Sequence, residues 1–341
     1  MNIYPLIRPI LFSLDPETAH SVTLASLTMA HRLGLTQALS PRQPKNPLQV
    51  MGLSFKNRLG LAAGLDKNGD CIDAMAALDF GFIEIGTVTP RPQPGNPKPR
   101  LFRLPDQQAI INRMGFNNAG VDHLLAQVAK RKSTTLLGIN IGKNADTPIE
   151  NAADDYLIGL QKCYLAADYI TLNISSPNTK NLRQLQQGDE IKRLIETLKN
   201  EQLRLQQHHQ KYTPLVVKIA PDLDEDELRH ISILLLTFEI DGVIATNTTI
   251  ARDMLGNHPL AQESGGLSGA PVKQKSTAVV AALAAELGNK IPIIAAGGIL
   301  SAEDAQEKLT AGASLVQIYS GLIYQGPKLI TDILKSIQKT K

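Results

Sequence analysis

Between Tyr169 and Asn178 the chain reads Y-I-T-L-N-I-S-S-P-N, a strand that ends in polar groups. Tyr169, Ile170, Leu172 and Ile174 supply the apolar wall. Pro177 stops the run because it has no N–H for a sheet ladder. At the stopping point stand Asn173, Ser175, Ser176 and Asn178: two amides, two hydroxyls and no charge. Neutral hydrogen-bonding groups of this kind suit a small, planar, polar molecule. A serine just before proline also fits a plain hydroxyl turn, so Ser176 carries both readings.

Other chemistry-bearing residues recur at the ends of apolar runs. One run leads into Ala63-Gly64-Leu65-Asp66-Lys67, others into Thr87, Asn140, Thr246-Asn247-Thr248, Gly297-Gly298 and Tyr319-Ser320-Gly321. Asn112, Asn140, Asn173, Asn178 and Asn247 form a set of amides able to read the edge of a heterocycle. Lys67 and Lys218 are the cations. Lys218 sits inside V-V-K-I-A, where an inward charge needs an anionic or electron-rich partner; Asp222 is the carboxylate that could pair with it. Gly265–Gly269, Gly297-Gly298 and Ser320-Gly321 place backbone N–H groups where a phosphate could rest. Histidines, cysteines and acidic pairs are scarce at these ends, so neither a metal site nor paired-carboxylate hydrolysis is supported.

The elements that must position these residues alternate. Apolar β-type runs fall at 59–63, 82–88, 136–141, 169–174, 215–219, 242–246, 292–296 and 315–318. Helical patterns follow them at 72–78, 121–131, 151–166, 190–207, 225–238, 272–287, 302–310 and 327–337. Eight strand–helix units predict an α/β fold, a closed (β/α)8 TIM barrel, with chemistry at the carboxyl ends of the strands. An open doubly wound sheet would need a G-x-G-x-x-G turn, and none is present. Two β runs, 100–104 and 109–113, flank Pro105-Asp106-Gln107 and predict a hairpin inserted at the barrel mouth, with the turn 112–117 facing a ligand.

The first 45 residues read as a separate unit, and 46–341 as the barrel. Ile3, Leu6, Ile7, Ile10, Leu11, Phe12 and Leu14 crowd a segment that Pro5 and Pro9 should break. Asp15-Pro16 then looks like a cap that starts a second helix reaching about Leu33. The pair could simply cap the core; the favoured expectation is a surface that lies on a bilayer and opens an apolar channel. Arg8, Arg32, Arg42 and Lys45 outnumber Asp15 and Glu17 there, which suits anionic lipid.

Composition excludes several classes. The 341 residues are 43% hydrophobic and 20% charged, with net charge +3 and no basic stripe or tryptophan for nucleic acid. Cys71 and Cys163 form no C-x-x-C and read as buried structural thiols in a reducing compartment. No stretch approaches the ~18 uninterrupted apolar residues of a membrane span.

Taken in order, GLAAGLDK (60–67), IEIGTVTPRPQP (83–94), INRMGFNN (111–118), GINIGK (138–143), NISSPN (173–178), VKIAP (217–221) and GVIATNTT (242–249) closely resemble the class 2, quinone-dependent dihydroorotate dehydrogenases. So do Gly265–Gly269, Gly297–Ile299 and Val316–Gly321. The resemblance covers essentially the whole chain. It implies FMN-dependent oxidation of (S)-dihydroorotate to orotate in pyrimidine synthesis, with hydride passing to flavin N5 and a membrane quinone reoxidising the flavin. FMN is expected against Ala63, Gly64, Leu65, Asp66, Lys67 and Thr87, with Asn140, Asn173, Lys218 and Thr246 about its ring. Its phosphate is expected on Gly269, Gly298, Tyr319 and Ser320. Substrate is expected at Lys67, Asn112, Arg113, Met114, Gly115, Phe116, Asn173, Asn178, Asn247 and Thr248, with Ser176 as the base that takes the C5 proton. Class 1 enzymes carry cysteine there. His20, Arg103 and Tyr319 are expected near quinone, the loop 179–188 as a lid, and no metal. The resemblance further implies a monomer attached peripherally to the cytoplasmic side of the cell inner membrane. Rival functions are a Schiff-base lyase using Lys67 or Lys218, a flavin barrel reducing uridine in transfer RNA, and a non-catalytic lipid-surface protein.

Overall fold

Short β-branched runs alternating with longer amphipathic segments can bury both strand faces only by wrapping a sheet inside a ring of helices. The computed structural model, which describes residues 3–36 and 46–339, does this. Strands β3 (Leu59–Leu61), β4 (Phe82–Val88), β7 (Leu136–Ile141), β8 (Tyr169–Asn173), β9 (Leu215–Ile219), β10 (Gly242–Ala245), β12 (Ile293–Ala296) and β13 (Leu315–Ile318) pair in parallel and close on themselves. The main apolar core lies between their outer faces and the helices. All eight expected strand–helix units are present, with ends shifted by a few residues.

Inside the barrel, bulk is organised by aromatic rings. Phe82 meets Phe55 edge-on at 5.2 Å, and Tyr169 lies 6.3 Å from Phe82. Gly60 makes room for this layer, since a Cβ there would sit 2.3 Å from the Phe82 ring. Below it, a hairpin of β1 (Leu48–Val50) and β2 (Leu53–Phe55) plugs the amino-terminal end. These three-residue strands carry too little pattern to be read from sequence.

At the other end, β5 (Leu101–Leu104) and β6 (Ala109–Asn112) form the expected hairpin. A third strand, β11 (Gly266–Gly269), pairs antiparallel with β6. The sequence marked these glycines only as a loop; tertiary pairing makes them a strand despite their poor propensity.

The amino-terminal pair is α1 (Tyr4–Ser13) and α2 (Pro16–Arg32). Pro5 and Pro9 do not break α1. Pro5 lies in the first turn, where no N–H partner is needed, and Pro9 removes one internal bond. Asp15 caps α2 by accepting from the Thr18 amide at 3.0 Å. Nothing is described for the loop 40–44, for Arg42 and Lys45, or for the boundary at residue 45, which lie outside the described residues. Among the described residues no helix is long and apolar enough to cross a membrane.

Candidate active site

A cavity of about 1060 Å³ of empty space, part of it open to solvent, lies at the carboxyl ends of the strands. Ala63, Gly64, Lys67, Thr87, Asn173, Ser176, Lys218, Thr246, Asn247 and Thr248 line it from the barrel. Asn112, Met114, Gly115 and Phe116 roof it from the inserted hairpin, and Asn178 from the serine loop. Gly269, Gly298, Tyr319 and Ser320 close one end. The lining includes two lysines and no carboxylate. That balance favours an anionic ligand.

The floor is a hydrogen-bonded ladder. Asn173 Nδ2 donates to Thr87 Oγ1 at 2.8 Å, and Thr87 Oγ1 to Asn140 Oδ1 at 2.5 Å. Asn140 Nδ2 donates to Glu84 Oε1 at 2.8 Å, while Tyr169 and Gln317 each donate to Glu84 Oε2 at 2.9 Å. Asn247 Nδ2 reaches Ser175 Oγ at 3.0 Å and Asn173 Oδ1 at 3.2 Å. With both ends of the Asn140, Asn173 and Asn247 amides engaged, this part of the wall is held before a ligand arrives. Asn178 Nδ2 donates to Asn112 Oδ1 at 3.0 Å, but Asn178 Oδ1 is buried without a partner. An orphan acceptor on the wall fits an N–H donor on a ligand. Ser176 Oγ accepts from the Asn178 amide at 3.2 Å, so the hydroxyl turn also exists.

Asp222 is not the partner of Lys218. Its carboxylate is taken by Arg183 at 2.8 Å and Lys275 at 2.7 Å. Burial lowers the Lys218 pKa, and Glu84, below it in the barrel, opposes that shift. Glu84 and Gln317 escaped the sequence reading; the available signal was a charged residue inside an otherwise apolar strand, F-I-E-I-G. Burial, then the nearby Arg100, brings Lys67 down to about 7, with Glu17 opposing. Lys67 Nζ donates to Asn117 Oδ1.

Four expected contacts stand off the cavity wall. Asn140 is fully buried in the ladder beneath it. Asp66 accepts from the amides of Asp70 and Cys71 at 3.0 and 2.8 Å and so shapes the first strand–helix loop. Leu65 and Asp66 line a neighbouring cavity beside α2. Arg113 pairs with Glu263 and stacks on Phe102 at 4.6 Å.

Does this set fit FMN? Gly298 lines the phosphate end: its φ is +73°, and a Cβ would meet Lys273 Cα at 2.3 Å, so only glycine lets this loop pack against the start of the helix Lys273–Leu287. Ser268 and Ser320 hydroxyls meet 2.9 Å apart beside it. Neutral amides and Lys218 face the other end. The donors fit a flavin ring and its phosphate.

A third cavity, about 2200 Å³ of empty space, lies under the amino-terminal pair. Its wall is chiefly apolar, including Ile7, Leu11, Phe12, Leu24, Leu27 and Ile323, and it brings together His20, Arg103 and Tyr319. Tyr319 lines this cavity and the mouth cavity, and the neighbouring one beside α2 as well. Burial, then Lys67, drives His20 down to about 4, so its ring is neutral at neutral pH. Burial raises Tyr319 to about 12. Arg103 donates to the carbonyls of Leu11 at 2.9 Å and Phe12 at 3.2 Å, and to that of Leu14, closing the open end of α1.

A family model described as dihydroorotate dehydrogenase matches residues 47–340. A relative from Chromobacterium violaceum named dihydroorotate dehydrogenase (quinone) is 63% identical over 98% of this chain and 97% of its own. One of the same name from Neisseria meningitidis serogroup C is 59% identical over 99% and 98%. The crystal structure of DHODH from Eimeria tenella in complex with ferulenol superposes with a TM-score of 0.88 at 39% identity, covering 95% of this chain and 91% of that one. On these matches the chain belongs to the dihydroorotate dehydrogenase family, the FMN-dependent oxidoreductases that oxidise dihydroorotate in pyrimidine biosynthesis, and it groups with the members that use a quinone as electron acceptor.

Proposed function

We propose that the mouth cavity carries out this oxidation with Ser176 as the base, and that quinone enters through the apolar cavity beneath α1 and α2. The supporting observation is one wall that holds Ser176, a fixed ring of amides and two lysines, with no carboxylate. Lys67 and the amides of Asn112, Asn178 and Asn247 bind the carboxylate, carbonyls and N–H groups of the pyrimidine, with Met114, Gly115 and Phe116 as roof. Ser176 Oγ takes the proton from C5. FMN, when bound, would supply a two-electron acceptor for the hydride and a route for those electrons to quinone. Lys218, buried, with Glu84 favouring its charged form against the effect of burial, faces the place where the flavin ring would lie and would stabilise negative charge there. Asn173, Thr87 and Thr246 would orient that ring, and Gly269, Gly298 and Ser320 would hold its phosphate.

Residues 1–45 form the quinone-entry unit and 46–341 the catalytic barrel. The pair α1 and α2 lies on the cytoplasmic side of the cell inner membrane, and the enzyme acts there as a monomer. Leu6, Ile10, Met29, Leu33 and Leu35 are each more than half exposed, which supports an apolar face turned to lipid.

Ser176→Ala tests the base. The variant should retain FMN and its yellow colour yet lose about 10²–10⁴-fold in the rate at which dihydroorotate bleaches it. Stopped-flow absorbance measures this; an unchanged bleaching rate removes Ser176 from the chemistry.

A further inference from the structure

The segment 179–188 follows the serine loop directly, and none of its residues lines the cavity. Its Arg183, in the short turn Leu182–Gln186, spends all three guanidinium nitrogens on three different strand ends. Nε donates to the Ser175 carbonyl at 3.1 Å, after β8. Nη1 reaches Asp222 Oδ2 at 2.8 Å, after β9. Nη2 donates to the Thr248 carbonyl at 2.8 Å, after β10. The first carbonyl belongs to the peptide that carries Ser176, and the second follows Asn247 and Thr248. Asp222 is itself fixed by Lys275 at 2.7 Å, the Ile250 amide at 3.0 Å and Thr249 Oγ1. Leu182 and Leu185 are buried beside it, and Gln186 Oε1 accepts from the Ala220 amide at 2.9 Å.

We propose that Arg183 is a positioning residue: it clips the segment 179–188 onto the ends of three strands and sets the serine loop in register with the Asn247–Thr248 loop. A rigid planar fork can serve three acceptors in one plane at once; a lysine ammonium, a point charge on a flexible stem, cannot. The role rests on the assignment of Ser176 as base. The two can fail separately, because the position of the clip has its own readout.

The experiment uses the full-length FMN-loaded enzyme with Arg183→Ala, Arg183→Lys and Asp222→Asn. Losing charge-assisted bonds of this kind should raise KM for dihydroorotate and lower kcat, each by about tenfold, in Arg183→Ala. Arg183→Lys should recover only a small part, and Asp222→Asn should shift the same parameters less. Added guanidinium ion at millimolar concentration should partly restore Arg183→Ala, but neither Ser176→Ala nor the unmodified enzyme. A lysine-specific protease should cut after the exposed Lys180 faster in Arg183→Ala, read by mass spectrometry, and orotate should slow that cut. Kinetic constants within twofold of the parent in Arg183→Ala overturn the clip. So does a loss that guanidinium does not relieve while cleavage after Lys180 stays at the parent rate.

Discussion

Lys67 shows how position rewrites the chemistry of one residue. On an exposed loop its ammonium would stay charged far above neutrality; burial behind the cavity brings it down to about 7. An anion docking there restores the proton. Above about pH 7 the free protein holds this lysine increasingly neutral, and the complex with a carboxylate holds it charged. Orotate binding near pH 8 should therefore take up a proton, and its affinity should fall as pH rises through 7 and beyond. Calorimetric titration in two buffers of different ionisation enthalpy measures the uptake directly; Lys67→Met should abolish it. The same burial gives a stability slope of known sign. The unfolded chain binds more protons at this lysine between about 7 and its ordinary value, so the unliganded fold gains stability as pH rises across that window.

At the scale of elements, the amino-terminal pair is tied to the barrel by a few polar contacts. Arg100 Nε and Nη2 grip the Glu17 carboxylate at 2.8 and 3.0 Å, and Nη1 donates to the carbonyls of Pro94 and Asn96 at 2.6 and 2.8 Å. Asn96 in turn donates to the carbonyls of Arg113 at 2.9 Å and Asn178 at 3.2 Å. The first turn of α2 is thus continuous with the roof of the mouth cavity. Both partners are mostly buried, so Glu17→Gln should cost on the order of 1.5–3 kcal/mol of docking. Steady-state reduction of a quinone should then drop several-fold, while dihydroorotate still bleaches the flavin in a single turnover at close to the parent rate. Equal loss in both half-reactions would show that Glu17 serves the substrate cavity as much as the helix pair.

Across the whole molecule, two cavities of opposite character meet at Tyr319. A polar one suits an anionic pyrimidine, and an apolar one opens beneath helices whose outer side chains face outward. Removing residues 1–40 should abolish binding to anionic phospholipid vesicles and reduction of long-chain quinone, yet leave a yellow protein that dihydroorotate bleaches. Vesicle co-sedimentation and single-turnover absorbance read the two properties separately. A truncated protein that still pellets with vesicles would place the lipid surface elsewhere.

The sequence alone determined the barrel, because eight alternations of two periods leave few other ways to bury every strand on both faces. It also determined which residue types reach the strand ends, since Asn173, Ser176, Lys218 and Asn247 follow from where each apolar run stops. Only the tertiary structure decided their partners. Asp222 lay four residues from Lys218 and looked like its counter-ion, yet it serves Arg183 and Lys275, and the carboxylate acting on Lys218 comes from a different strand, at Glu84. The segment Gly266–Gly269 became a strand because β6 offered an open edge, and Asn140 stepped down from the wall into the ladder beneath it. Periodicity records burial along one segment; hydrogen-bond partners are set by closure of the barrel, which brings residues far apart in the chain within 3 Å of one another.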